Sequence, residues 1–326
     1  MLIFLVVLAL IYAFLNGYRD SSSILAGVIA SRAMNPRLAL YLVAIADFIA
    51  PFLFGSAVAR SVTTGLVKTS AVALETIVIA MVAALGWNFF SWWRGIPSSS
   101  THALIGGLLG ATIISEGPQA IITDGLSVVI LPLFLAPVVA VFLGYLVNLL
   151  MVFILRNARP RTNNVLRHFQ IVTMLLLAMS NSANDSQKSM GVIALGLVLA
   201  GQLASFSIPL WVVAACAFAL ALGATRGDWR QIRNLGSKMY RIRPMNALSS
   251  QLASSGLILT ASALGMPVST PHVISSALLG AGAAERINKV RWQVAGQMVI
   301  TWAVTIPASM VLSALLFMVL KAFKLF

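Results

Sequence analysis

The stretch GIPSSSTHALIGGLLGA at residues 95–111 returns, without a gap, as GMPVSTPHVISSALLGA at residues 265–281. Eight of the seventeen positions are identical, among them Gly95/Gly265, Pro97/Pro267, Ser99/Ser269 and His102/His272. Such a match inside one chain means an internal duplication. A weaker correspondence sets YRDSSS (18–23) against ANDSQK (183–188), so that Asp20 falls on Asp185. Working outward from these pairs, the chain divides into a first half, 1–155, a basic linker, 156–168, and a second half, 169–326.

Composition sets the environment of both halves. Hydrophobic residues make up 60% of the 326 and charged residues only 9%, which excludes a soluble domain and predicts an all-α integral membrane protein. Apolar runs place a broken first span up to Ala30 and further elements near 38–57, 71–90, 96–115 and 125–155. The series resumes near 169–200, 209–225, 245–264, 266–284 and 293–320. The elements at 96–115 and 266–284 read as hairpins or broken helices with Ser/Thr-rich tips, since non-helical backbone at membrane depth must be buried in protein or line a cavity. The first run lacks a basic start and a cleavage site and reads as a retained helix rather than a signal peptide. Cys216 stands alone, so neither a disulfide framework nor a thiolate metal site is available.

Net charge is +14, but its distribution points to topology, not to nucleic acid. Of the 22 Lys and Arg, sixteen fall in alternate connections: Arg32 and Arg37, Arg94, 156–167, 226–243 and 286–291. The other connections hold Arg60, Lys68, Lys321 and Lys324 alone. Positive charge marks the cytoplasmic face, which puts both termini outside. Five membrane elements per half is an odd number, so the second copy runs through the bilayer in the opposite sense. Inverted repeats with polar residues at matching places are the mark of secondary transporters, with the substrate site near the midplane.

Arg19 and Lys188 lie inside apolar runs, as do Asp20 and Asp185. An ionisable side chain at the centre of a membrane helix costs roughly 2.5–3.5 kcal/mol on insertion scales. Two readings are open: mute ion pairs that hold the halves together, or the lining of a polar cavity. The surrounding amides and hydroxyls, Asn16, Ser21–Ser23, Asn181, Ser182, Asn184, Ser186 and Gln187, favour the cavity. Ser99, Ser100 and Thr101, and their counterparts Ser269 and Thr270, stand at helix starts, where free N–H groups and the positive end of the helix dipole attract anions. A Ser100–His102–Asp20 hydrolase lacks any nucleophile elbow, so the chain does not read as an enzyme. His102 and His272 read as packed helix residues rather than proton carriers.

FLNGYRDSSSILAGVIASRAMNP, GIPSSSTHALIGG, SNSANDSQKSMGVIAL and GMPVSTPHVISSALLGAGAAERINKVRW together resemble the PiT family of inorganic phosphate transporters, in particular its short bacterial members. The likeness covers nearly the whole chain in order. It implies a bacterial inner-membrane symporter, a dimer, in which both Asp-bearing motifs and both hairpin tips surround phosphate and its coupling ion. Asp20, Asn184, Asp185, Gln187, Lys188, Ser99, Ser100, Thr101, Ser269 and Thr270 match motif positions. A coupling cation is expected near Asp20, Asp185, Asn184 and Asn16, and sodium, where used, near Asn184 and Asp185.

Departures from that pattern shape the functional expectation. Arg19 stands where relatives have His or Asn, Ser23 replaces an Asn, Ser182 a Gly, Pro271 a Thr, and Gln251 a Glu. Losing an amide oxygen and gaining a guanidinium weakens a sodium site and favours an oxyanion, unless Arg19 pairs elsewhere. The expectation is therefore phosphate uptake by alternating access, with a proton favoured over sodium and no organic cofactor. A sulfate permease and a passive anion channel or transport-incompetent sensor are the rivals.

Overall fold

A computed structural model describes residues 1–96, 98–157, 162–229, 232 and 242–323, without the side chains of Lys289, Val294 and Gln297. Pro97, residues 158–161 of the expected linker, Lys324 and the basic residues between 230 and 241 lie outside the described residues. The described chain is helical: α1 Leu2–Ala30, α2 Pro36–Leu53, α3 Ala57–Val62, α4 Leu74–Arg94, α5 Ser100–Glu116, α6 Thr123–Ile154, α7 Thr162–Leu199, α8 Leu210–Arg226, α9 Pro244–Ala263, α10 Thr270–Glu285 and α11 Trp292–Ala322. Five spans (α1, α2, α4, α6 and Met298–Ala322 of α11) are long and apolar enough to cross a membrane. Leu131, Phe142, Phe153 and Ile300 are among the many large apolar side chains exposed on the outside, as lipid-facing residues are.

Two expectations need correction. The first span is not broken: α1 runs through Asn16, Arg19 and Asp20 without interruption, as α7 runs through 181–188. Several hydroxyls in these runs bond back to their own helices, with Ser22 Oγ donating to the Tyr18 carbonyl at 3.3 Å and Ser186 Oγ to the Ser182 carbonyl at 2.6 Å, so the serines do not interrupt the backbone ladder. Second, α7 begins at Thr162, inside the stretch expected as linker, and the short α3 adds an element that hydropathy does not mark.

The breaks lie instead at the duplicated hairpins. α4 ends at Gly95 with φ 70°, and α9 is followed by Gly265 with φ 69°, a left-handed conformation that only glycine adopts cheaply. That is the physical reason for one identity in the repeat. Packing partners exchange when the halves are exchanged: α5 lies on α11 as α10 lies on α6, and α1 on α8 as α7 on α2. Glycine permits the closest of these approaches, since a Cβ on Gly17 would sit 1.9 Å from the Leu220 carbonyl oxygen and one on Gly223 2.0 Å from that of Phe14. Membrane helices with no hydrophobic drive to associate gain contact this way.

Candidate functional site

Both hairpin tips are buried at the centre, with Ser99, Thr101, Ser269 and Thr270 all screened from solvent. Ser99 caps α5, its Oγ accepting from the His102 N–H at 3.3 Å. Pro271 at the start of α10 supplies no N–H, so the second tip offers one first-turn donor fewer than the first. The two following helices touch through the repeated histidines, whose rings lie 5.3 Å apart. His102 stands edge-on to Phe134 at 5.7 Å and His272 lies 4.5 Å from Trp302, a packed setting.

Lys188 ties the tips together. It is 0% exposed, donates to Thr101 Oγ1 at 2.7 Å on the first tip and to the Val268 carbonyl at 2.9 Å on the second, and is paired with Asp185 one turn back on α7. Of the two readings left open by sequence, Asp185–Lys188 is thus an ion pair, while Asp20 makes no salt bridge among the described residues. Asn184 holds the second tip: its amide donates to the Met266 carbonyl at 3.2 Å and to Ser262 Oγ at 3.0 Å, and its oxygen accepts from the Val268 N–H at 3.2 Å. Gln187 accepts from the Val58 N–H at 2.9 Å and donates to the Ala183 carbonyl at 2.8 Å, which satisfies a first-turn donor of α3.

Arg19 holds the first tip in the same manner. Its guanidinium donates to the Ser98 carbonyl at 2.8 Å and to Asn88 Oδ1 at 3.2 Å, so the residue that departs from the motif is engaged with the hairpin backbone. Around these tethers stand polar atoms with no partner in the protein: the Tyr12 hydroxyl, both ends of Asn16 and of Asn181, Asp20 Oδ2, Asp185 Oδ2, Ser269 Oγ and Thr270 Oγ1. Tyr12, Asn16, Asp20 and Asp185 form one neighbourhood, because Tyr12 lies against Asn16 and Ser100 and the carboxyl groups of Asp20 and Asp185 adjoin, and Ser269 and Thr270 directly follow Val268, whose carbonyl accepts from Lys188. Each buried polar atom left unpaired costs about 1–3 kcal/mol, and native interiors leave few. A cluster of them marks a place built to receive something polar.

Asp47 belongs to this neighbourhood although the motifs do not include it. It is fully buried on α2, neither carboxylate oxygen has a partner, it lies near Asp185, and its backbone carbonyl accepts from Ser182 Oγ at 2.8 Å. The signal was present in LVAIADFIAPFL, a lone acid in an apolar run. Among the described residues no group of three or more His, Cys, Asp and Glu gathers to hold a metal ion.

Residues 16–313 match the profile of the phosphate transporter family. The chain is 38% identical, over 98% of its length and 97% of the relative's, to a Bacillus subtilis (strain 168) protein named "Probable low-affinity inorganic phosphate transporter". A protein of the same name from Rhizobium meliloti (strain 1021) is 37% identical over 97% of this chain and 95% of its own. The fold is that of the solved structure titled "The sodium-dependent phosphate transporter", with a TM-score of 0.87, 21% identity, and coverage of 98% of this chain and 99% of that one. Family and relatives are transporters, not enzymes. With its apolar spans, its duplicated hairpins meeting on Lys188 and a match over nearly its whole length, the chain is a membrane protein of the phosphate transporter family.

Proposed function

We propose that the chain carries inorganic phosphate across the membrane at this centre, coupled to a cation and by alternating access. One observation carries the reading: the unpartnered atoms of Asn16, Asp20, Asp185, Ser269 and Thr270 gather where Lys188 joins the hairpin tips. Ser269, Thr270, Ser100 and the start of α5 supply donors to the anion, with Lys188 as its counter-charge and Ser99 and Thr101 shaping the tip. Asp20 and Asp185 supply acceptors. Phosphate carries a proton to donate to such an oxygen and sulfate at neutral pH does not, which favours phosphate over the sulfate reading.

Charge counting supplies the need for coupling. Asp20 and Asp185 face Arg19 and Lys188, with Asp47 near Asp185 and Asp228 near Arg19, so an arriving anion meets a centre already two charges negative when all are ionised. An anion entering an inside-negative cell also climbs about 2.3 kcal/mol per charge at 100 mV. Adjoining carboxylates repel unless a proton or metal cation lies between them, and the Asp20–Asp185 contact makes a proton the first candidate. Sodium is the second reading, favoured by the free amide oxygens of Asn16 and Asn181 rather than that of Asn184, which already accepts from Val268 N–H. The exchange of packing partners between halves supports an inverted repeat of 1–155 and 169–326, and the Lys/Arg distribution supports cytoplasmic basic loops with both termini outside. A homodimer in a bacterial inner membrane completes the reading.

The test is uptake of labelled phosphate and sulfate into proteoliposomes under imposed proton or sodium gradients. Phosphate uptake driven by either gradient, and accelerated by unlabelled phosphate inside, supports a coupled carrier and names the ion. Sulfate uptake alone, or flux without counterflow, sinks it.

A further inference from the structure

Away from the centre, at the ends of α1, α7 and α9, lies a cavity of about 570 Å³ lined by Ala30, Ser31, Arg32, Asn163, Arg167, Ile242, Arg243 and Pro244. Three guanidinium groups from three separate elements meet there. Glu285 lies 3.9 Å from Arg243 and accepts from Asn246 Nδ2 at 2.9 Å, while the residues that line the cavity include three arginines and no carboxylate. Arg167 places a buried Nε in this wall with no partner in the protein. Arg32 has φ 55°, the left-handed conformation in which a Cβ crowds the following carbonyl oxygen. It is the left-handed turn that ends a helix, with the Arg32 N–H donating to the Ile29 carbonyl at 3.1 Å and the Ala33 N–H to the Val28 carbonyl at 3.0 Å, and it sets a cation at the cavity one residue past the C-cap Ser31.

Beside the cavity, side-chain hydrogen bonds tie α7 to the end of α1 and to α9. Ser31 Oγ donates to Gln170 Oε1 at 2.7 Å, Gln170 Nε2 donates to the Pro244 carbonyl at 2.9 Å, and Thr173 Oγ1 donates to Gln251 Oε1 at 2.6 Å. Asn181, whose amide is free at the central site, is eleven residues further along α7, roughly 16 Å. All three arginines belong to the connections rich in Lys and Arg, the cytoplasmic set.

We infer that this vestibule is a second anion site, an exit port in which phosphate released from the centre is held by Arg32, Arg167 and Arg243 before it reaches the cytoplasm. The inference rests on the proposed transport function and adds a site to it. Guanidinium forks match phosphate oxygens in pairs, and the same chemistry would seize a phospholipid headgroup, so the experiment must separate the two sources.

Phosphate KM is to be measured from the outer face in intact cells and from the cytoplasmic face in inverted membrane vesicles, for wild type, Arg32→Gln and Arg167→Gln/Arg243→Gln. Arg32 is exposed, so its substitution leaves folding intact should the double variant not accumulate. The expected result is a cytoplasmic-face KM that rises about fivefold relative to the outer-face KM, the loss of one or two anion contacts, with lysine at the same positions recovering only part of it, since it restores the charge without the fork. An unchanged ratio of the two constants in a wild type that transports phosphate overturns the exit port and leaves the transport reading standing. A wild type that moves no phosphate from either face overturns both. A shift seen in reconstituted vesicles only when phosphatidylglycerol is present assigns the arginines to a lipid headgroup and overturns the port.

Discussion

Asp20 and Asp185 occupy matching places on α1 and α7, yet their surroundings differ in a way that separates mechanical from chemical work. The mechanical part is shared. Arg19 grips the Ser98 carbonyl as Asn184 grips Met266 and Val268, and Ser22 Oγ accepts from the Asp228 N–H at 2.7 Å as Gln187 accepts from Val58 N–H at 2.9 Å. Charge is not shared. Only α7 carries Lys188, where α1 has Ser23, and only α2 carries Asp47, which falls on Ala217 of α8 when Val58 is set on Asp228. Matching residues therefore hold backbone in both halves, and the halves differ in the charges they bring to the centre.

The most damaging way to attack that distinction is Lys188→Met. It leaves Asp185 buried and unpaired and releases both tips, at a cost of roughly 3–5 kcal/mol. Folded protein in detergent, measured by size-exclusion chromatography, is expected to fall steeply. Lys188→Met with Asp185→Asn removes both charges and is expected to restore the folded peak without restoring uptake. Recovery of uptake in the double variant would make the pair structural alone.

Asp20→Asn comes next. Its free oxygen holds nothing in the protein, so the folded yield should stay near wild type while phosphate uptake falls about 100-fold, equivalent to roughly 3 kcal/mol of charge-assisted contacts. Asp47→Asn has the more revealing sign. Removing a buried carboxylate without a partner relieves desolvation, so the melting temperature should rise by roughly 2–4 °C while uptake under a cation gradient falls about tenfold, roughly 1.4 kcal/mol. A lowered melting temperature would show that Asp47 is paired in the folded protein.

The smallest effects test the shared mechanical part. Gln187→Ala strands the Val58 N–H and loses the longer bond from the Ala59 N–H, at about 1–2 kcal/mol, whereas Ser22→Ala leaves the Asp228 N–H its other acceptor, the Tyr18 carbonyl at 3.1 Å, and should cost less, about 0.5–1 kcal/mol. A thermal melt in which Ser22→Ala falls as far as Gln187→Ala would contradict that order.

Most helix positions were legible because a chain in lipid must satisfy its backbone within each span. Apolar runs therefore place α2, α4, α6 and α8 to α11 within a few residues. Continuity of α1 was not legible: Asn16, Arg19, Asp20 and three serines suggest a break, yet Ser21 and Ser22 bond back to their own helix and Arg19 reaches a neighbour. α3 escapes because six residues carry no periodicity, and its start depends on Gln187, 129 residues away. Within the site, the motifs located the tips, Asp20, Asp185 and Lys188. They did not tell that Asn184, Gln187 and Arg19 hold backbone, since that depends on which carbonyl or N–H the fold brings near. Asp47 was readable as a lone membrane acid, but its role depends on its distance from α7.

On the proposed reading, the unpartnered atoms around Lys188 receive phosphate together with a cation. The direct measurement is equilibrium binding of labelled phosphate to the purified protein, with proton and sodium concentrations varied, for wild type beside Asp20→Asn. Saturable binding that strengthens with one of the two cations and disappears in a folded Asp20→Asn protein is the predicted result. Binding that is indifferent to both cations, or that survives in Asp20→Asn with unchanged affinity, would contradict the account.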